Sequence, residues 1–231
     1  GCGSTSTEFM QAQVLVHGAD IGIALDGDAD RIMISDENGA MVDGDQIMGA
    51  IAEFWASGGK LTGGGVVATV MSNLGFEHFL KGLGLDLVRT NVGDRHVVEH
   101  MRLNGFNLGG EQSGHIILSD YSTTGDGLIA ALQILAVFRN SDQLASEVCR
   151  VFDPLPQLLK SVKIQESTQW KTASVKRAIA AGEKKLENTG RILIRPSGTE
   201  LLVRVMAEGE NSILISQIVD DIVSEIERTT A

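Results

Sequence analysis

The sequence predicts an α/β protein: a βαβ domain on a mixed, mostly parallel sheet, followed by a small α+β domain. Three observations predict it. Between about residues 41 and 155, short β-branched runs alternate with stretches of helical apolar spacing. Pro154 and Pro156, two of only 3 prolines, bracket a break in this pattern and mark a linker. The 231 residues are 43% hydrophobic and 21% charged, a length that favours about two domains and a composition that can bury a core.

Taken in order, Ala19 to Leu25 is a short apolar strand and Ile32 to Ser35 a second, with a turn at Glu37-Asn38-Gly39. Asp45 to Trp55 has helical periodicity, with Asp43 or Asp45 as its cap. Gly63-Gly64-Gly65 reads as a flexible approach to the strand Val66 to Val70. Leu74 to Leu83 is a helix stopped by Gly84. Leu85 to Thr90 is a strand, Asp94 to Leu103 a helix, and Phe106 to Leu108 and His115 to Leu118 strands. Asp126 to Phe138 is a strongly apolar helix. Beyond the linker, a strand (Ser161 to Gln165), a helix (Ala173 to Leu186), two strands around Arg195 to Glu200 and a helix (Ser212 to Arg228) give the order β-α-β-β-α over residues 156–231. The first forty residues are too few for a domain and read as the end of one. The chain begins at Gly1 without an initiator Met, so it is expected to be a piece of something longer.

The net charge of -11 argues against nucleic-acid binding and against docking on anionic membranes. No run approaches the roughly 18 apolar residues of a membrane span, and the start has neither the basic nor the apolar region of a signal peptide. Cys2 and Cys149 make neither a disulfide framework nor a metal pair, so a reducing cytoplasm is the default expectation. An acidic protein that binds an anion must gather its basic groups in one place.

Asp26-Gly27-Asp28-Ala29-Asp30-Arg31 puts three carboxylates on one tight turn between two apolar strands. Such a cluster repels itself unless a cation neutralises it, and oxygen-only ligands suit Mg²⁺ before Ca²⁺ or Mn²⁺. The rival is an EF-hand, since Asp26, Asp28, Asp30 and Glu37 match its first, third, fifth and twelfth positions. Arg31 stands where that loop needs Gly, and strands flank it where helices should. A solvated acidic turn is the plainest alternative.

In Gly109-Gly110-Glu111-Gln112-Ser113-Gly114-His115, glycines frame Glu, Ser and His at alternate positions, which on an extended strand point the same way. A carboxylate beside a hydroxyl suits paired sugar hydroxyls; a strand turn with a structural Glu fits as well. Arg195-Pro196-Ser197-Gly198-Thr199 offers a guanidinium, hydroxyls and backbone N–H groups, with Arg204 at the far end of the next strand. That is phosphate chemistry, unless Arg195 simply pairs with an acid. Thr90 to His96 adds polar groups, with Asp94 a candidate helix cap. Gly58-Gly59-Lys60 is followed by Leu61 and is no P-loop.

In this order, DGDADR, GEQSGH and RPSGTE resemble the phosphohexose mutase superfamily, supported by VDGDQIM, VGDRHVVEHM and GGEQSGHIILSDYSTTGDGLIAALQIL. The resemblance spans nearly the entire chain. It implies the close of a second domain (residues 1–40), a third, sugar-binding α/β domain (41–155) and a fourth, phosphate-binding domain (156–231). It implies an isomerase that interconverts the 6- and 1-phosphates of a hexosamine through a 1,6-bisphosphate. Asp26, Asp28 and Asp30 would hold Mg²⁺. Arg31 would sit beside the transferring phosphate, with His115 assisting. Glu111 and Ser113 would read sugar hydroxyls, and Arg195, Ser197, Gly198, Thr199 and Arg204 would clamp the other phosphate. The phosphorylated serine of that family, in a Ser-His-Asn type loop, matches no segment here. The chain also departs at Leu201, where Pro is usual, and at His96, where Tyr is common. Alternatives are a phosphomanno- or phosphoglucomutase, a non-catalytic sugar-phosphate module, and a metal-dependent phosphatase using one of the three Asp as nucleophile.

Overall fold

The computed structural model describes residues 2–165, 169–197 and 200–230. Two compact units divide it, Gly1–Asp153 and Pro154–Ala231.

The first unit opens with α1 (Glu8–His17) and an antiparallel sheet of β1 (Ile21–Leu25), β2 (Ile32–Asp36) and β3 (Met41–Val42). α2 (Gly44–Ser57) follows, capped by Asp43, whose side chain accepts from the Gln46 N–H. Then come β4 (Gly65–Thr69), α3 (Leu74–Gly82), β5 (Asp86–Thr90), α4 (Asp94–Asn104), β6 (Leu108–Gly110), β7 (Ile116–Leu118), α5 (Gly127–Asn140) and the short α6 (Ala145–Val148). The second sheet has the order β5-β4-β6-β7; β5 and β6 run parallel to β4, and β7 is antiparallel. β4 is buried along its whole length, as a central strand covered on both faces must be. Ile32 and Ile34 of β2 share one apolar core with Ile47, Met48, Ile51 and Trp55 of α2 and with β4 and β6. The first sheet therefore packs against the α/β layers, and the loop between β1 and β2 is held against the turn that joins β6 to β7.

The second unit is an antiparallel sheet, β8 (Gln157–Lys163), β10 (Leu202–Gly209) and β9 (Gly190–Pro196) in spatial order, with α7 (Ala173–Leu186) and α8 (Ser212–Thr230). A single 3₁₀ turn, Gln169–Lys171, precedes α7. Val203, Val205 and Ala207 alternate into a core with Ile215, Ile218, Val219 and Ile222 of α8. Arg204 therefore stands on the opposite face.

The structure corrects several sequence expectations. α1 carries no apolar stripe: only Val14 is buried, and its N-cap makes no side-chain bond, so neither helix signal was present. The strand expected at residues 161–165 lies at 157–163, and that expected at 106–108 lies at 108–110. Gly63-Gly64-Gly65 is not a slack approach. Gly63 and Gly64 sit at φ of +79° and +78°, and a Cβ on Gly65 would lie 2.0 Å from the Asp86 carbonyl oxygen across the sheet.

Candidate functional site

The β1–β2 hairpin closes at the pair Leu25–Ile32, leaving Asp26 to Arg31 as its loop. Strands, not helices, flank it, which excludes an EF-hand. The loop turns tightly because Ala29 takes a left-handed conformation, φ +58°, and its N–H donates to the Asp26 carbonyl oxygen at 3.2 Å. The Arg31 N–H donates to Asp26 Oδ1 at 3.1 Å. As a result one oxygen each of Asp26, Asp28 and Asp30 falls within 4.8 Å of the others.

The loop crowds three carboxylates together, partly compensated by Arg31 and His115. Burial and a hydrogen bond shared with Asp26 raise the Asp30 carboxyl above its usual range, against the pull of His115. For Asp26, burial also acts upward, but the Arg31 N–H and the bond to Asp30 outweigh it and hold the group low. Asp30 Oδ1 is buried without a hydrogen-bond partner among the described residues, and Arg31 Nε lies 4.0 Å from it. Three clustered carboxylates, one of them with a buried oxygen that accepts no hydrogen bond among the described residues, form a donor set that fits a hard divalent cation.

Glu111, Ser113 and His115 come together beneath this loop, though not by strand alternation. They lie in the tight β6–β7 turn, closed by Gly114 N–H to Glu111 O at 3.0 Å and Glu111 N–H to His115 O at 2.9 Å. Extended geometry ends at Gly110, so the turn sets where each side chain points. The Ser113 hydroxyl is 3.4 Å from Glu111 Oε2, while His115 turns inward and is 4% exposed. Its Nδ1 is 3.1 Å from Asp30 Oδ2. The Ile32 N–H donates to Gly114 O at 3.0 Å, fastening the carboxylate loop to the turn. Gly114 makes this approach possible: it has φ +90°, and a Cβ there would lie 2.0 Å from Ile32 O.

The sequence marked the turn at residues 90–96 only as a source of polar groups and a cap, and it assigned Gly125 and Gly127 no role; the structure brings both segments to the site. The Gly93 N–H donates to Glu111 Oε1 at 3.1 Å, bringing the β5–α4 loop to the turn. Asp94 begins α4 without capping it, its Oδ2 being 3.9 Å from His115 Nε2. Gly127 holds the loop from behind, its N–H donating to Ala29 O at 2.8 Å, and Gly125 packs against the His115 ring. The Gly-Asp-Gly run before α5 was the available signal, but its partners are remote in sequence.

In the second unit, Arg195 and Arg204 are direct cross-strand partners. Arg204 is thus near the start of β10, not at its far end as the sequence suggested. Directly paired residues share one face of an antiparallel sheet, so both arginines lie on the same side of it. Ser197 lies just beyond β9, its N–H donating to Leu202 O at 2.8 Å. Gly198 and Thr199 lie outside the described residues.

No helix among the described residues is long and apolar enough to cross a membrane. Residues 43–155 match the family model "Phosphoglucomutase/phosphomannomutase, alpha/beta/alpha domain III", and residues 159–225 match "Phosphoglucomutase/phosphomannomutase, C-terminal domain". A phosphoglucosamine mutase of Parvibaculum lavamentivorans is 59% identical over 230 residues, which are 100% of this chain and 51% of that protein. One from a Chelativorans species is 60% identical over 225 residues, 97% of this chain and 50% of the relative. The chain thus spans about half the length of the curated relatives it matches. Aspergillus fumigatus N-acetylphosphoglucosamine mutase, solved with GlcNAc-6P and magnesium, superposes with a TM-score of 0.79 at 24% identity, covering 100% of this chain and 53% of that one. A Burkholderia thailandensis phosphoglucomutase/phosphomannomutase family protein gives 0.77 at 18% identity over 98% of this chain and 50% of that one. With both domain models matched in order, the chain belongs to the phosphoglucomutase/phosphomannomutase family, the α-D-phosphohexomutases.

Proposed function

We propose that the chain carries the metal, sugar and phosphate sites of a phosphoglucosamine mutase, an isomerase whose longer protein interconverts glucosamine 6-phosphate and glucosamine 1-phosphate. The observation that carries this reading is the 59% identity to phosphoglucosamine mutases along the full chain. Residues 1–40 close a preceding domain in this reading, and residues 41–155 and 156–231 are the sugar and phosphate domains.

Asp26, Asp28 and Asp30 would hold Mg²⁺. When bound, the cation stabilises charge on the transferring phosphoryl group and orients it. Arg31 adds a guanidinium beside that group. Glu111 and Ser113 offer an acceptor and a donor to neighbouring sugar hydroxyls, and His115 closes the site from below through Asp30. Arg195, Arg204, Ser197, Gly198 and Thr199 bind the phosphate that is not reacting. The phosphoryl group passes from a phosphoserine to the sugar, giving a 1,6-bisphosphate and free serine. The reoriented bisphosphate then returns its other phosphoryl group to the serine, so the clamp must accept two substrate poses. A cytoplasmic location fits the two free cysteines.

Assaying the full-length protein with glucosamine 6-phosphate tests this. Conversion to the 1-phosphate is expected; none, alongside good turnover of mannose or glucose phosphates, transfers the chain to the phosphomanno- or phosphoglucomutases. The 231-residue chain, in which no segment matches the serine loop, is expected to show no turnover even with Mg²⁺ and bisphosphate.

A further inference from the structure

We propose that Gly125 is a positioning residue: by lacking a side chain it seats the His115 ring against Asp30 and so fixes the third carboxylate of the cation site. The inference rests on the reading of Asp26, Asp28 and Asp30 as that site.

The requirement at residue 125 is for space, not for backbone freedom, since Gly125 is not among the residues at positive φ. A Cβ built on it would lie 2.3 Å from His115 Nε2, 2.4 Å from Cε1 and 2.7 Å from Cδ2. These distances are far inside van der Waals contact, so one partner has to move. Neither backbone can. Residue 125 pairs with Ile117 in a β-bridge, and its successors are tied by Asp126 N–H to Ile116 O at 3.2 Å and Gly127 N–H to Ala29 O at 2.8 Å. The His115 carbonyl is held by the Glu111 N–H at 2.9 Å. The displacement therefore falls on the imidazole.

A carboxylate only accepts, so in the contact with Asp30 Oδ2 at 3.1 Å the hydrogen is on His115 Nδ1. This bond joins residues 85 apart in the chain and crosses from the β6–β7 turn to the carboxylate loop. Of the three Asp side chains, Asp26 is oriented by the Arg31 N–H and Asp30 by His115. Groups that orient a metal ligand from behind are worth roughly 10- to 100-fold in metal affinity. Gly125 acts one step further out, through the ring.

Titration of the 231-residue chain with Mn²⁺, followed by water-proton relaxation or calorimetry, tests the inference. Gly125→Ala is expected to weaken Mn²⁺ binding by about 10-fold, and His115→Ala by a similar factor. The double variant is expected to bind no more weakly than His115→Ala alone, because with the ring gone the added methyl has nothing to displace. Unchanged affinity in folded Gly125→Ala, or losses that multiply in the double variant, would overturn the proposal. If Gly125→Ala does not fold, His115→Ala decides, and unchanged affinity there overturns it equally. Failure of the parent chain to bind Mn²⁺ at all would instead remove the metal reading on which the proposal stands.

Discussion

Replacing Asp45 by Asn should remove a large pH dependence from the stability of the first unit. Asp45 lies in the first turn of α2 with 0% exposure. Its Oδ2 accepts from the Asn73 N–H at 2.8 Å. Burial, then the neighbouring charge of Asp43, push its carboxyl from 3.8 up to about 7, despite help from Asn73, Ser72 and Arg89. The folded chain therefore holds a proton that the unfolded chain releases. The stability this contributes is complete below about pH 4 and is lost progressively as pH rises towards 7. At roughly 1.4 kcal/mol per pH unit, the whole interval is worth up to about 4 kcal/mol. Between pH 5 and pH 8, where most other carboxylates are already ionised, about 3 kcal/mol of it remains to be seen. Urea unfolding at several pH values would measure it. Trp55 sits on the same helix and Trp170 in the other unit, so in a Trp170→Phe background the fluorescence reports the first unit alone. The difference between parent and Asp45→Asn should grow steadily in the variant's favour up to about pH 7 and then level off. A difference constant over that range to within about 0.5 kcal/mol would refute the reasoning, since Asp45 would then be ionised throughout.

Gly114→Ala should destabilise the first unit by about 2 to 4 kcal/mol in denaturant titration, combining left-handed strain with the overlap at Ile32 O; a loss under about 1 kcal/mol would mean that the β2 contact can yield. Arg191→Ala should cost the second unit about 3 to 5 kcal/mol in the same assay, because Glu208, at 0% exposure, would retain Gln157 Nε2 at 3.0 Å but lose the guanidinium. The paired change Arg191→Met with Glu208→Leu should recover most of that loss, and a double variant as unstable as the single one would contradict this.

Much of the fold was legible because its signals are local. Asp43 caps α2, Gly84 at φ +74° follows α3, and the alternation of strands and helices produces the parallel sheet. What escaped was either too short to carry a period, as with β3, or without an apolar stripe, as with α1. The same division runs through the site. The sequence by itself determined the chemistry of each loop: three carboxylates within five residues converge on any tight turn, and Arg195 with Ser197 already forms an anion-binding composition. Only the tertiary structure decided how the loops meet. Gly114 against Ile32, His115 against Asp30, Gly125 beneath the imidazole and Arg204 opposite Arg195 all depend on strand register and close backbone approach. Such contacts join segments separated in the chain, so composition supplies the chemical groups while packing against a shared core sets which of them touch.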